Sequence, residues 1–358
     1  MSVYKNKENG TWYVMTLYRD WTGAKKQKCK RGFNTRREAL EWEHKFLQQC
    51  TGDLNMTFEA FVEIYTNDLR VRLKESTWQT KENIIENKII PYFGKRKINE
   101  ITAKDVIAWQ NELLTYRDEK NNPYSKSYLK TLHNQLSAIF NHAVRFYELP
   151  FNPAARAGNM GSEERMQILF WTKEEYQKFA KEMMDKPVSY YAFQMLYWTG
   201  IREGELLALT PADFDFNRGT VDITKTYQRL NGADVITSPK TKKSKRTVQM
   251  PDFLCVEMQE YFNMQYGLKK DDRIFTITKS YLHREMDRGA QAAGIKRIRI
   301  HDLRHSHISL LIDMGFSAVA IADRVGHESI EITYRYAHMF TSQQKEMANQ
   351  LNNINKGE

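Results

Sequence analysis

Between His301 and Tyr336 the chain reads HDLRHSHISLLIDMGFSAVAIADRVGHESIEITYRY. His301 is followed three residues later by Arg304, His327 follows Gly326, and Tyr336 stands nine residues beyond His327. A guanidinium can hold a phosphoryl group through two parallel N–H bonds, and an imidazole gives or takes a proton near neutral pH. A phenol, with an ordinary pKa near ~10, attacks phosphorus only if a neighbour takes its proton or cations stabilise the phenolate. The grouping points to covalent attack by Tyr336 on a phosphodiester. Cations would cancel the charge building on the non-bridging oxygens, each well-placed donor contributing about 2.7–4 kcal/mol. His301 and His327 can donate to the phosphoryl group or accept the phenol proton.

Two stretches upstream suit the same chemistry. In TGIREGELLAL, Gly200 ends one helix and Glu203 begins another that reaches Leu209 before Pro211, so Arg202 sits at a junction that fixes its direction. The segment SPKTKKSKRTV puts Lys240, Lys242, Lys243 and Lys245 in a β-turn, where a lysine can protonate the leaving oxygen. The PKT context favours Lys240, with Lys242 and Lys243 as alternatives. Asp302 is placed to cap a helix that buries Leu303, Leu310, Leu311 and Met314 and ends at Gly315. Ser329 caps the next helix, with Tyr336 about two turns along it. Tyr334, seven residues after His327, is the rival phenol. Metal binding is the rival chemistry, because His301 and His305 have the i, i+4 spacing of a zinc pair and His307 is near. Against it, position 302 is Asp where HExxH needs Glu, and Arg304 repels a dication. No metal or cofactor is expected.

These groups need a scaffold and a partner. The chain has 358 residues, 41% hydrophobic and 12% aromatic, enough for two or three packed domains. Its formal net charge of +10 favours a polyanion, nucleic acid above all. Cys29, Cys50 and Cys255 are too few and too scattered for a disulfide framework or a CxxC metal site, and fit a reducing cytosol. The start MSVYKNKENGTWY lacks a signal-like apolar stretch, and no apolar run approaches membrane-spanning length, so a soluble cytoplasmic protein is expected.

The expected fold class is multidomain and mainly α with small β-sheets. Residues 1–52 read as a three-stranded sheet plus a helix. Trp12–Arg19 and Ala24–Phe33 are strands around the turn Asp20–Gly23, and Thr35 caps the helix through Leu40, Trp42 and Phe46. Alternation along the second strand puts Cys29 and Phe33 on the helix-packed face. Lys26, Lys28 and Lys30 then project from the opposite face, where they meet phosphates or simply keep an edge strand soluble. After a linker at Thr51–Asn55, residues 56–156 read as a helical bundle. Lys74, Ser76, Thr77, Lys126 and Lys130 stand at helix starts, which favour phosphate. Pro91 is read as a helix end, and Pro150 and Pro153 close the domain before a mobile linker at Ala157–Arg165. Residues 166–358 form a mixed α+β domain. It opens on a Thr172–Glu175 capping box and carries strands at Thr220–Lys225, Val235–Thr237 and Arg246–Met250. A tail helix follows, with Met347, Leu351 and Ile354 at helical spacing.

With these residues in this order, the chain resembles the tyrosine recombinase (integrase) family of site-specific DNA recombinases. The family signature is an arginine in TGxRxxE, a lysine in a β-hairpin, HxxR, GH and a tyrosine nine residues after that histidine. Here it falls on Arg202, Lys240, His301 with Arg304, His327 and Tyr336; Ile201, Gly204 and Val325 are minor departures. The helical middle resembles the family's core-binding domain and the N-terminal unit its arm-site-binding domains. The resemblance implies a 3′-phosphotyrosine link, a Holliday junction and no need for ATP or metal. It also implies a tetramer on double-stranded core and arm sites, subunits joined through the C-terminal tail, and an accessory DNA-bending or directionality protein. The site is then that of a phage or other mobile element, in a bacterial cytosol. The alternatives are a non-catalytic DNA-binding regulator on the same fold, a chromosome-dimer resolvase, or an enzyme similar to type IB topoisomerases.

Overall fold

The computed structural model describes residues 2–6, 10–19, 25–50, 54–162, 168–239, 241–334, 336 and 351. Its backbone contacts divide into two units, Met1–Arg165 and Met166–Glu358. The Asp20–Gly23 turn, residues 51–53 of the first linker, 163–165 of the second, Lys240 and, save Leu351, the tail helix fall outside the described residues. Among the described residues no helix is long and apolar enough to cross a membrane.

Strands β1 (Val3–Lys5), β2 (Trp12–Arg19) and β3 (Lys25–Phe33) form an antiparallel sheet in that order. The helix Arg36–Cys50 packs chiefly on β2. Thr35 and Glu38 cap this helix reciprocally, the Thr35 hydroxyl accepting from Glu38 N and the Glu38 carboxylate from Thr35 N. The sheet corrects the expected faces of β3. Trp12 pairs with Phe33 but Tyr13 with Arg31, so Gly32, at φ 93°, is an extra residue bulged out of the ladder. Across the strands, buried Val14 and Thr16 face Lys30 and Lys28. Lys30 Nζ lies 5.0 Å from the Trp42 ring of the helix. Lys26, Lys28 and Lys30 therefore stand exposed at the rim of the helix-bearing face, and the bulge brings Phe33 round to join them. Cys29 pairs with Met15 on the open face and is exposed. Stacked Tyr4 and Tyr13 and the largely exposed Leu17 share that face.

The middle of the chain is helical. Phe58–Arg70, Ala103–Thr115 and Lys126–Phe146 are capped by Thr57, Thr102 and Ser125, each side chain accepting from a backbone N–H of the first turn. Their apolar stripes meet around Phe58, Phe61, Phe93, Trp109, Leu136 and Phe140. Glu75–Ile84, which starts after Lys74, does not stop at Pro91. It passes through a π-turn at Ile85–Ile89 and continues as Ile90–Phe93. The wider turn accommodates the ring and the missing N–H, and the Lys88 carbonyl accepts the Trp109 indole N–H at 3.0 Å. The expected linker also shortens. Pro153 opens a further turn, Pro153–Ala157, the Gly158 carbonyl accepts from Gln110, and an added Cβ on Gly161 would lie 2.2 Å from the Lys126 carbonyl oxygen. The segment to Gly161 is thus packed on the first turn of the long helix.

The second unit is a helical body with two small sheets. Among the described residues its α-helices include Lys173–Lys181, Pro187–Thr199, Glu203–Leu206, Asp252–Met264, Lys279–Ala292, Asp302–Asp313, Ala318–Val325 and Ile330–Tyr334. Thr172 and Glu175 form the expected capping box. Strands β4 (Phe214–Asp215) and β5 (Thr220–Ile223) belong to one sheet; β6 (Thr226–Leu230) and β7 (Ala233–Thr237) make a separate hairpin; β8 (Arg246–Gln249) returns to pair with β5. Asn231 and Gly232, both at positive φ, make the tight hairpin turn. The lysine-rich segment therefore connects two sheets and is not a β-turn, with a single 3-10 turn at Lys242–Ser244.

Candidate active site

Two left-handed glycines organise the site. Gly200 (φ 64°) ends Pro187–Thr199, and Gly326 (φ 68°) ends Ala318–Val325. Arg202 follows the first as the N-cap of Glu203–Leu206, and His327 follows the second. Arg202 Nη2 donates to the Gly326 carbonyl at 3.2 Å, tying the two turns together. Gly200 has no room for a side chain, since a Cβ would sit 2.6 Å from His307 Cδ2.

A buried carboxylate aims the arginine. Glu205 Oε1 lies 2.7 Å from Arg202 Nη1, and Oε2 lies 2.9 Å from Arg246 Nη2. Burial pushes the Glu205 carboxyl up, but Arg246 and then Arg202 outweigh it and hold the pKa below the usual carboxylate range. Arg246 is itself fixed, its Nε donating to the Arg324 carbonyl. Arg304 is only 2% exposed and donates through Nη1 to the Gly200 carbonyl at 2.8 Å. Its buried Nη2 has no hydrogen-bond partner among the described residues. Burial, then the charges of Arg202 and Arg246, bring its pKa down to about 9. Such an unpaired buried donor costs about 1–3 kcal/mol, which an incoming anion would recover.

The histidines are held neutral. His327 is buried, with Nδ1 2.8 Å from Thr333 Oγ1, and burial with nearby Arg304 and Arg202 lowers its pKa to about 3. His301 is open to solvent and packs edge-on against the His305 ring at 5.1 Å. The covered part of its ring and the Arg304 charge lower its pKa. Tyr336 is 2% exposed, sharing an apolar cluster with Ile308, Ile312, Ile321 and Val325. Its hydroxyl is hydrogen-bonded to His305 Nδ1.

Arg202, His301, Arg304, His327 and Tyr336 are thus brought together, while Tyr334 is 54% exposed. Several local expectations change. His301 rather than Asp302 is the N-cap of Asp302–Asp313. Met314 is 63% exposed, and the helix buries Arg304, Ser306 and His307 beside Leu303, Ile308 and Ile312. Tyr336 lies beyond Ile330–Tyr334, in a turn closed by its N–H on the Thr333 carbonyl. Lys243 is exposed and reaches the Glu328 carbonyl at 3.3 Å; nothing is described for Lys240 or the Lys242 side chain. The three histidines do not converge, because His307 Nε2 accepts from Arg324 Nε at 3.0 Å in the interior. Among the described residues no group of three or more His, Cys, Asp or Glu could hold a metal ion. Arg246, Arg324 and His305 carry no assignment from sequence; His305 stood out there only as half of a zinc-like pair.

Fold and site define a class: an enzyme that transfers DNA strands by way of a tyrosine, preceded by helical and sheet modules. Residues 170–343 match the Phage integrase family, 57–114 its N-terminal SAM-like domain and 2–50 the Arm DNA-binding domain. The ICEBs1 integrase of Bacillus subtilis is 29% identical over 99% of this chain and 100% of its own length. The integrase of Staphylococcus phage L54a is 24% identical over 80% of this chain and 86% of its own. The Tn1549 transposon integrase, solved with transposon right-end DNA, superposes with a TM-score of 0.67 at 19% identity, covering 82% of this chain and all of that one. A lambda integrase dimer bound to a core site gives 0.59 at 19% identity, covering 94% of each chain. The chain belongs to the phage integrase family of tyrosine recombinases.

Proposed function

We propose that Tyr336 is the nucleophile of a site-specific recombinase that moves a phage or other mobile element into and out of double-stranded DNA. Arg202 and Arg304 hold the non-bridging oxygens of the scissile phosphate, and His301 and His327 add neutral donors. The Tyr336 oxygen bonds to phosphorus as its proton passes to a neighbouring imidazole, and the 5′ oxygen leaves with a proton from Lys240, in the lysine-rich segment between β7 and β8. A 3′-phosphotyrosine and a free 5′ hydroxyl result. That hydroxyl, passed to a partner duplex, attacks the partner's phosphotyrosine and restores a phosphodiester, so the bond energy is conserved without ATP. Two rounds in a tetramer pass through a Holliday junction. A solved relative, a lambda integrase tetramer, is bound to such a junction. The N-terminal sheet serves accessory arm sites, and the tail links subunits. The work takes place in the cytosol of a bacterial host, with an accessory directionality or DNA-bending protein.

The observation that carries this reading is the unpaired Nη2 of buried Arg304, in a pocket of charge shared with Arg202 and Tyr336. The test is covalent capture on a nicked duplex bearing the cognate site. Wild type becomes linked to the 3′ phosphate, and Tyr336→Phe binds the duplex without linking. Capture by Tyr336→Phe together with its loss in Tyr334→Phe would overturn the assignment.

A further inference from the structure

His305 Nδ1 and the Tyr336 hydroxyl share a hydrogen bond, with ring centroids 5.5 Å apart. At the other edge of the imidazole, Nε2 lies 3.7 Å from Asp302 Oδ1. Asp302 is fully buried and held in place by Arg299, whose backbone N–H, Nε and Nη2 all donate to its carboxylate. Their i, i+3 spacing on the first turn of Asp302–Asp313 sets carboxylate and imidazole side by side. A carboxylate beside one ring nitrogen favours the tautomer that carries the proton there. The proton then sits on Nε2, and Nδ1 presents its lone pair to the phenol. By contrast, His327 Nδ1 is engaged with Thr333, and the His301 ring packs against His305.

We propose that His305 is the group that accepts the Tyr336 proton, with Asp302 as the positioning residue that selects its tautomer. This rests on Tyr336 being the nucleophile. During cleavage the oxygen–phosphorus bond forms as the phenol O–H bond breaks, and the proton passes to Nδ1. During rejoining it returns from Nδ1 to the departing phenolate. The imidazolium formed in between lies between the Asp302 carboxylate and the anionic phosphate. His301, Arg299, Arg304 and His327 also surround this ring. Burial and then His301 lower its pKa to about 4, with Arg299 and Arg304 adding to the shift and Asp302 opposing it. The ring is therefore an unprotonated acceptor at neutral pH, and a bound phosphate offsets the arginines when the proton arrives.

Single-turnover covalent capture on the nicked duplex, with the full chain between about pH 5.5 and 9.5, tests the assignment. Wild type should be insensitive to pH above neutrality. His305→Gln keeps an acceptor for the hydrogen bond but cannot take the proton. At neutral pH it should capture about 10²–10⁴-fold more slowly with unchanged DNA affinity, its rate rising about tenfold per pH unit as hydroxide ionises the phenol. A wild-type rate with a flat profile would overturn the proposal. ¹⁵N-histidine spectra of the wild type need no substitution at His305: Nε2–H with an accepting Nδ1 that shifts in Tyr336→Phe is expected, and Nδ1–H would refute it. If Tyr336→Phe still captures DNA, the nucleophile assignment has failed. If it does not, and His305→Gln behaves as wild type, only the role of His305 falls.

Discussion

Around Arg304, cations are fixed by acceptors on several elements: Arg202 by Glu205 and Gly326, Arg246 by Glu205 and Arg324, Arg304 by Gly200. Along β3, by contrast, Lys26, Lys28 and Lys30 stand exposed at the rim of a sheet. The first arrangement suits a charge that exists only in a transition state, because the donors need not reorganise when it appears. The second suits a polyanion present throughout, where each exposed lysine adds a small, screened contribution. On the proposed function, the fixed buried cations would set rate and the exposed ones salt-dependent affinity.

The largest expected departure from this contrast is Arg304→Ala. It should slow covalent capture at least about 10³-fold while duplex affinity in a shift assay changes severalfold at most. Equal losses in rate and affinity would place Arg304 among ordinary phosphate contacts. Arg246→Ala leaves Glu205 buried with one cationic partner fewer. Urea unfolding should show a loss of about 3–5 kcal/mol, and at permissive temperature capture should slow because Arg202 loses its aim. Acid provides a third contrast. His305, His307 and His327 have folded pKa values of about 4, 3 and 3, below the unfolded value of 6.5. The unfolded chain thus binds protons first. Stability is full above about pH 6.5 and falls as pH drops toward 4, by up to about 1.4 kcal/mol per unit for each histidine. Urea midpoints measured down this range check the slope, and His307→Gln should make it shallower. The smallest effect is Lys28→Ala, which should weaken arm-site binding modestly and reduce the slope of log affinity against log salt by about 0.9 if Lys28 neutralises one phosphate. No change on arm DNA would remove it from that interface.

The grouping of Arg202, His301, Arg304, His327 and Tyr336 was legible because a motif fixes which residue types recur and how far apart. Helix starts along the whole chain were legible from capping residues such as Thr35, Thr57, Ser125 and Thr172, and the helices themselves from their apolar stripes. What escaped were features set by tertiary contact. Arg246 reads as one more basic residue until Glu205 is found beneath it. Tyr336 was placed inside a helix because nothing local shows that it stands in a turn instead, its N–H on the Thr333 carbonyl. Pro91 reads as a stop, yet a π-turn carries the helix past it with the Lys88 carbonyl satisfied from Trp109. The faces of β3 failed for a simpler reason: parity counting assumes that no residue is extra.

Gly32 is therefore a phase boundary. Residues before it follow one alternation and Phe33 follows the other, so an ungapped comparison with an unbulged strand assigns one side of the boundary to the wrong face. Deleting Gly32 would restore regular alternation, leaving Lys26, Lys28 and Lys30 in register and Phe33 on their face, opposite Trp12 and beside Trp42, its neighbour at 5.9 Å. In this strand a one-residue change of length at the bulge leaves every ring on its surface, because the residue gained or lost is not part of the ladder.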